Sequence, residues 1–130
     1  MENLAIPATE RSPEVDFDFT AGRLSLKGES YPEDASAVFG PLFSALDRFL
    51  AEPGPDVRFD LELIYFNSSS AKALMNMFQM LERAAEAGRR VTVNWIFAAE
   101  DETMKEFGED FSEDLDHVSF NLVATPPASG

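Results

Sequence analysis

Val57-Arg58-Phe59-Asp60-Leu61-Glu62-Leu63-Ile64-Tyr65-Phe66-Asn67-Ser68-Ser69-Ser70-Ala71-Lys72-Ala73-Leu74 decides how this chain is read. Its first half alternates, with Val57, Phe59, Leu61 and Leu63 on one side and Arg58, Asp60 and Glu62 on the other, the period of a strand with one wet face. Ile64-Tyr65-Phe66 breaks the alternation at the strand's end. The second half changes to a helical period, in which Leu74, Phe78, Leu81 and Ala85 form one apolar stripe, widened by Met75 and Met77 as core filler. Between the halves lie Asn67 and three serines, where the first backbone N–H groups of a helix have no intrahelical partners. Ser and Asn cap such ends, and an ordinary cap accounts for one of the four. Three hydroxyls exceed that need. A phosphate at a helix N-terminus is electrostatically favoured, so the junction is also read as a regulatory phosphosite.

Moving toward the C-terminus, Gly88 suits the C′ position that closes this helix. Val91, Val93 and Trp95 then alternate with Thr92 and Asn94 in a strand. Asp101-Glu102 opens a third helix carrying Met104, Phe107 and Phe111, with Leu115 on its trailing turn and Gly108 weakening it. Val118, Phe120 and Leu122 mark a last strand. Residues 125–130, Thr-Pro-Pro-Ala-Ser-Gly, are expected to be a flexible tail, leaving 1–124 as a single domain.

Toward the N-terminus, Glu52-Pro53-Gly54-Pro55 ends an earlier helix whose apolar positions are Val38, Leu42, Leu46, Phe49 and Leu50. Glu33 and Asp34 suit its first turn. Gly40-Pro41 interrupts it, and a short first turn, a kink and a main helix starting near Pro41 are expected. Val15, Phe17 and Phe19, then Leu24 and Leu26, read as a hairpin about Ala21-Gly22, with Asp16 and Asp18 facing Arg23 and Lys27. Leu4-Ala5-Ile6, closed by Pro7, is a short first strand.

The order is strand, strand, strand, helix, strand, helix, strand, helix, strand. Strands joined through helices should be parallel neighbours by right-handed crossovers, and the early hairpin antiparallel. A parallel sheet covered on both faces reads as unbroken apolar runs, whereas each strand here keeps a polar side. The expected fold is therefore α/β, in an α+β two-layer arrangement. A mixed five- to six-stranded sheet with an N-terminal antiparallel hairpin carries three helices on one face and leaves the other open.

The 130 residues are 45% apolar, ordinary for a globular chain, and carry 10 Lys plus Arg against 24 Asp plus Glu, a net charge of −14. That charge repels nucleic acid and anionic lipid, and points to protein partners with basic faces. With no cysteine there are no disulfides, thiolate catalysis or cysteine zinc sites. No apolar run approaches the roughly 18 residues of a membrane span, and the start Met1-Glu2-Asn3-Leu4-Ala5-Ile6 is unlike a signal peptide, so a cytoplasmic location is expected.

Catalytic patterns are sparse. His117 is the lone histidine and reads as a surface or cap residue. Ser69-Ser70-Ala71-Lys72 fits a Ser-x-x-Lys pattern, but the companion motifs and helical domain of those enzymes do not fit in this chain. Asp60 and Glu62 offer paired carboxylates for acid–base work or a divalent cation, against the plainer reading of a solvated or docking face. The run Glu109-Asp110-Phe111-Ser112-Glu113-Asp114 lacks calcium-loop spacing, and no glycine-rich phosphate loop is present. No cofactor, no metal and no enzymatic activity are expected.

Asp60-Leu61-Glu62-Leu63-Ile64-Tyr65-Phe66-Asn67-Ser68-Ser69-Ser70, with Gly22-Arg23-Leu24 and Tyr31-Pro32-Glu33 upstream and Gly88-Arg89 downstream, resembles the SiaC family of bacterial regulatory phosphoproteins over nearly the whole chain. The resemblance implies a STAS-like domain, similar to anti-sigma factor antagonists, switched by a cognate protein kinase and a metal-dependent Ser/Thr phosphatase. It further implies that the unmodified form activates a diguanylate cyclase in cyclic-di-GMP and biofilm signalling. By motif position the acceptor is Ser68, with Ser69 as rival; this chain has Ser where the best-known pattern has Thr. The surface expected to meet partners comprises Asp60, Glu62, Tyr65, Asn67, Ser68, Ser69 and Lys72. An anti-sigma factor antagonist acting on a sigma-factor-binding kinase is the alternative function. The open polar face leaves a homodimer as one arrangement.

Overall fold

The computed structural model describes residues 3–126. Six strands, β1 (Leu4–Ile6), β2 (Glu14–Asp18), β3 (Arg23–Ser30), β4 (Val57–Phe66), β5 (Val91–Ala98) and β6 (Ser119–Thr125), lie side by side in chain order. The first three pair antiparallel, and β3 to β6 pair parallel. Each parallel step moves to the next neighbour in the same direction, so crossovers of one hand place α1 (Ala35–Ala51), α2 (Ser68–Glu86) and α3 (Glu102–Glu113) on one face. Among the described residues no helix is long and apolar enough to cross a membrane.

β4 is the centre of the core because its alternation holds: Val57, Phe59, Leu61 and Leu63 are buried beneath the helices. Phe59 meets Phe17 edge-on at 5.8 Å and Phe78 at 6.4 Å. Each such fully buried side chain stabilises the fold by roughly 1.5–3 kcal/mol. The break at the strand's end is a bulge. Gly28 faces Leu63 and Glu29 faces Tyr65, which leaves Ile64 as an extra residue; Ile64 and Tyr65 both turn to solvent and Phe66 returns to the core. In the β2–β3 turn Gly22 has φ +73°, and a Cβ there would strike the Asp56 carbonyl.

The expected break at Pro41 is absent, and α1 is one helix from Ala35 to Ala51. Pro41 lies on the exposed side of the helix, as does Ala37 four positions earlier. A proline in a helix interior costs about 3 kcal/mol, which burial of Phe39, Leu42, Leu46 and Phe49 outweighs. Asp34 is the N-cap rather than a first-turn residue, accepting a bond from Ala37 N at 3.2 Å, and Glu33 precedes it.

α2 ends as its sequence suggests. Gly88, at φ +108°, donates to Ala85 O and Arg89 N donates to Ala84 O, the paired bonds of a Schellman cap. Arg89 then reaches across to the end of α1, donating to Glu52 O at 2.8 Å and Pro55 O at 3.1 Å, with its guanidinium over the Phe49 ring at 4.6 Å. Arg89→Ala is expected to lower unfolding free energy by about 1–2 kcal/mol in urea denaturation, since it removes carbonyl partners and a cation–π contact together. An unchanged midpoint would show that this link carries no stability.

Two further corrections concern α2 and the end of β6. Met77 is core, but Met75 is 44% exposed and is not core filler. Thr125, read as the start of the tail, is the last residue of β6 and its hydroxyl donates to Phe97 O; of the rest of that tail, residues 127–130 lie outside the described residues.

Candidate functional site

The serine junction is built from both of its neighbours. β4 delivers Asn67 to the end of the sheet, where its backbone N–H donates to Ser30 O at 3.0 Å. The Asn67 side chain accepts from Ser70 N at 2.9 Å and its carbonyl accepts from Ala71 N at 2.9 Å, a complete N-cap. Ser70 is fully buried; its hydroxyl donates to Ser30 O at 3.0 Å, so at the 2.7 Å contact between the two hydroxyls Ser30 must be the donor. Ser70 is thus structural.

Ser68 and Ser69 occupy the first two positions of α2 and are both exposed. They sit over the positive end of the helix, with exposed Lys72 one turn on from Ser68. Tyr65, 53% exposed, packs edge-on against Tyr31 at 5.8 Å. Tyr65, Asn67, Ser68, Ser69 and Lys72 therefore gather at one end of the sheet.

Asp60 and Glu62 do not join them. Both lie on the open face, six and four residues before Phe66, which at a strand's rise places them about 20 Å and about 13 Å back along β4. Asp60 accepts from Arg58 Nε at 3.2 Å and from Asn94 Nδ2 at 2.8 Å, and Asn121 Nδ2 in turn donates to Asn94 Oδ1 at 3.0 Å. This is a polar row crossing the sheet, with Asp60 already engaged by two donors.

The arrangement the sequence reading missed is Glu82 with His117. Glu82 is buried on α2, and its carboxylate accepts from the backbone N–H groups of Asp116, His117 and Val118 and from His117 Nδ1 at 2.9 Å. Burial pushes this carboxyl up, but the His117 ring and then the three backbone donors outweigh it and hold it at about 2. The bond to Glu82 in turn raises His117, burial opposing and the charges of Glu82, Glu86 and Asp116 assisting. Glu82, Glu86 and His117 present ligand atoms within 4.8 Å of one another, the spacing of a cation site. The lone pairs of Glu82 are taken by the α3–β6 loop, however, so the cluster is a clasp between α2 and that loop. One signal was available: Glu82 follows Leu74 and Phe78 at helical spacing, a charge set within the apolar stripe.

A family model for SiaC family regulatory phosphoproteins matches residues 6–125. This chain belongs to the SiaC family. Its fold is similar to that of apo-SiaC from Pseudomonas aeruginosa, with a TM-score of 0.87 and 37% identity covering 95% of this chain and 100% of that one. It is equally similar to SiaC from the crystal structure of the diguanylate cyclase SiaD in complex with its activator SiaC, also from Pseudomonas aeruginosa. There the TM-score is 0.86, the identity 38%, and the coverage 95% and 98%. An uncharacterized protein of Pseudomonas aeruginosa strain UCBPP-PA14 is 40% identical over 114 residues, 88% of this chain and 90% of its own. As a SiaC-family member the chain is a regulatory protein.

Proposed function

We propose that this protein is a non-enzymatic phosphoswitch, with Ser68 as acceptor, whose unmodified form binds and activates a diguanylate cyclase in the cytoplasm. A cognate protein kinase adds the phosphate and a metal-dependent Ser/Thr phosphatase removes it. The observation that carries the reading is the exposed Ser68 hydroxyl at the first position of a helix already capped by Asn67. Nothing has to unwind for a kinase to reach it. A phosphate there adds about −1.5 to −2 charges to a surface that was a neutral hydroxyl. A partner closing a dry contact over that spot must then desolvate a dianion. The similarity to a SiaC that activates a cyclase supports the choice of partner.

The test is intact-mass analysis after incubation with the cognate kinase. The wild type is expected to gain one phosphate, Ser69→Ala to gain one as well, and Ser68→Ala none. Full labelling of Ser68→Ala, with none of Ser69→Ala, would move the acceptor to Ser69. Labelling of both variants together with their double substitution would end the assignment.

A further inference from the structure

β6 ends the sheet on one side, paired with β5 and with no strand beyond it among the described residues. Alternate residues along it therefore point their backbone N–H and C=O groups outward with no ladder to join. Protein sheets ordinarily guard such an edge with Lys, Pro, a bulge or extreme shortness. β6 has none of these. Its seven residues, Ser119-Phe120-Asn121-Leu122-Val123-Ala124-Thr125, pair with β5 in unbroken register, and Leu122 and Val123 are both more than a third exposed. On a chain of net charge −14 it lies within 118–130, thirteen residues without one charged side chain and the longest such run in the sequence. The opposite edge is guarded: β1 has three residues and stops at Pro7.

We propose that β6 pairs antiparallel with β6 of a second copy of this chain, joining the two sheets across a two-fold axis at Leu122. Three features select that occupant. The strand is complementary to itself: with Leu122 opposite Leu122, Phe120 meets Ala124, Asn121 meets Val123 and Ser119 meets Thr125, so large faces small, hydroxyl faces hydroxyl and no charge faces another. The pairing also keeps each face intact. Asn121 bonds Asn94 on the open side, and Val123 shares that side, while Phe120 packs on Phe78 and Leu122 abuts Gly108 on the helix side. Finally, pairing β6 with β1 of another copy would use only three residues and leave an edge free at each end, whereas β6 with β6 closes after two chains.

Charge sets the strength of this contact and its response to salt. The copies repel through their acidic surfaces, including exposed Glu102, Glu106, Glu109 and Glu113 of α3, the helix that packs on β5 and β6. No charge opposes them along β6 itself. Association should therefore tighten as salt screens the repulsion, the reverse of a contact made by ion pairs. The inference does not depend on the phosphoswitch reading, because β6 contains none of the residues of the serine junction.

The test is sedimentation equilibrium of the unphosphorylated full chain over a series of concentrations at low and high salt. The wild type is expected to show a reversible monomer–dimer equilibrium that strengthens with salt. Val123→Lys, at an exposed position, restores the missing guard and is expected to stay monomeric, with thermal unfolding to verify its fold. A second measurement reads the register. The chain has no cysteine of its own, so Leu122→Cys places a single thiol opposite its twin, with Cβ atoms about 5 Å apart, and mild oxidation should link the two copies. Ala5→Cys, on the guarded edge, should remain unlinked. If Val123→Lys fails to fold, the cross-link alone decides. A wild type that is monomeric throughout, a folded Val123→Lys that associates as the wild type does, or Ala5→Cys linking as readily as Leu122→Cys overturns the proposal.

Discussion

Glu82→Ala is expected to lower the free energy of unfolding by about 3 kcal/mol at neutral pH, a large part of the stability of a small domain. The substitution deletes the acceptor for three consecutive backbone N–H groups and for the His117 ring at once. Asp116 and His117 are exposed and can turn to water, but Val118 is buried and its N–H cannot. Glu82→Gln keeps the shape and one acceptor oxygen, so it should fall between the two. Urea denaturation of the three proteins measures this. A Glu82→Ala midpoint equal to wild type would mean that the loop is held by its apolar residues alone.

The same clasp has a signed pH dependence. The Glu82 carboxyl is held at about 2 against an ordinary 4.5, so its stabilisation is fully present above about 4.5 and is lost as pH falls toward 2. His117 is raised above its ordinary 6.5, so its share is full below 6.5 and is lost as pH rises through its folded value. The clasp is accordingly tightest between those two limits. The chain carries 24 Asp plus Glu, and the difference between wild type and Glu82→Gln isolates this one. If the two stability curves remain parallel from pH 6 to pH 3, the assignment of that window to Glu82 is wrong.

Gly108→Val is expected to cost about 3 kcal/mol, because α3 approaches the sheet only where no side chain intervenes. A Cβ at Gly108 would lie 2.5 Å from Trp95 Cδ1 and 2.5 Å from Leu122 Cδ2. Leu122 is 38% exposed and its tip can swing away. Trp95 cannot, since its ring is buried, packs edge-on against Phe66 and Phe111, and donates from Nε1 to Met104 O at 2.9 Å. Placing valine there must lift α3 and break that bond. Ala would recover up to about 1 kcal/mol of helix propensity but meets the same ring, so it too should destabilise, by less. Tryptophan fluorescence during denaturant unfolding reads both changes. A Gly108→Ala variant more stable than wild type would show that the helix has room to spare.

Much of the architecture was legible because it rests on periodicity. The alternation in β4, the switch to a helical stripe after Asn67, and Gly88 at the close of α2 each depend on near neighbours in sequence, and each stands where it was read. What could not be read depends on partners distant in sequence. Pro41 carried a local penalty whose compensation, burial of four side chains by the sheet, is tertiary. Gly108 looked like a defect in α3 because Trp95, the reason for it, is thirteen positions away on another element. His117 looked solitary because Glu82 lies 35 residues off. The serines show both cases at once: their place at the junction was visible, but the separation of Ser70 from Ser68 and Ser69 depends on Ser30, 40 residues upstream.

That hydroxyl pair between Ser30 and Ser70 has a consequence for how a signal would leave this molecule. The first turn of α2 is riveted to β3 from below, two positions beyond the residue a kinase would address. A platform stapled in this way would keep its shape when its rim is decorated. The message would then be carried by what a visitor feels on arrival, with the polypeptide itself superimposable before and after.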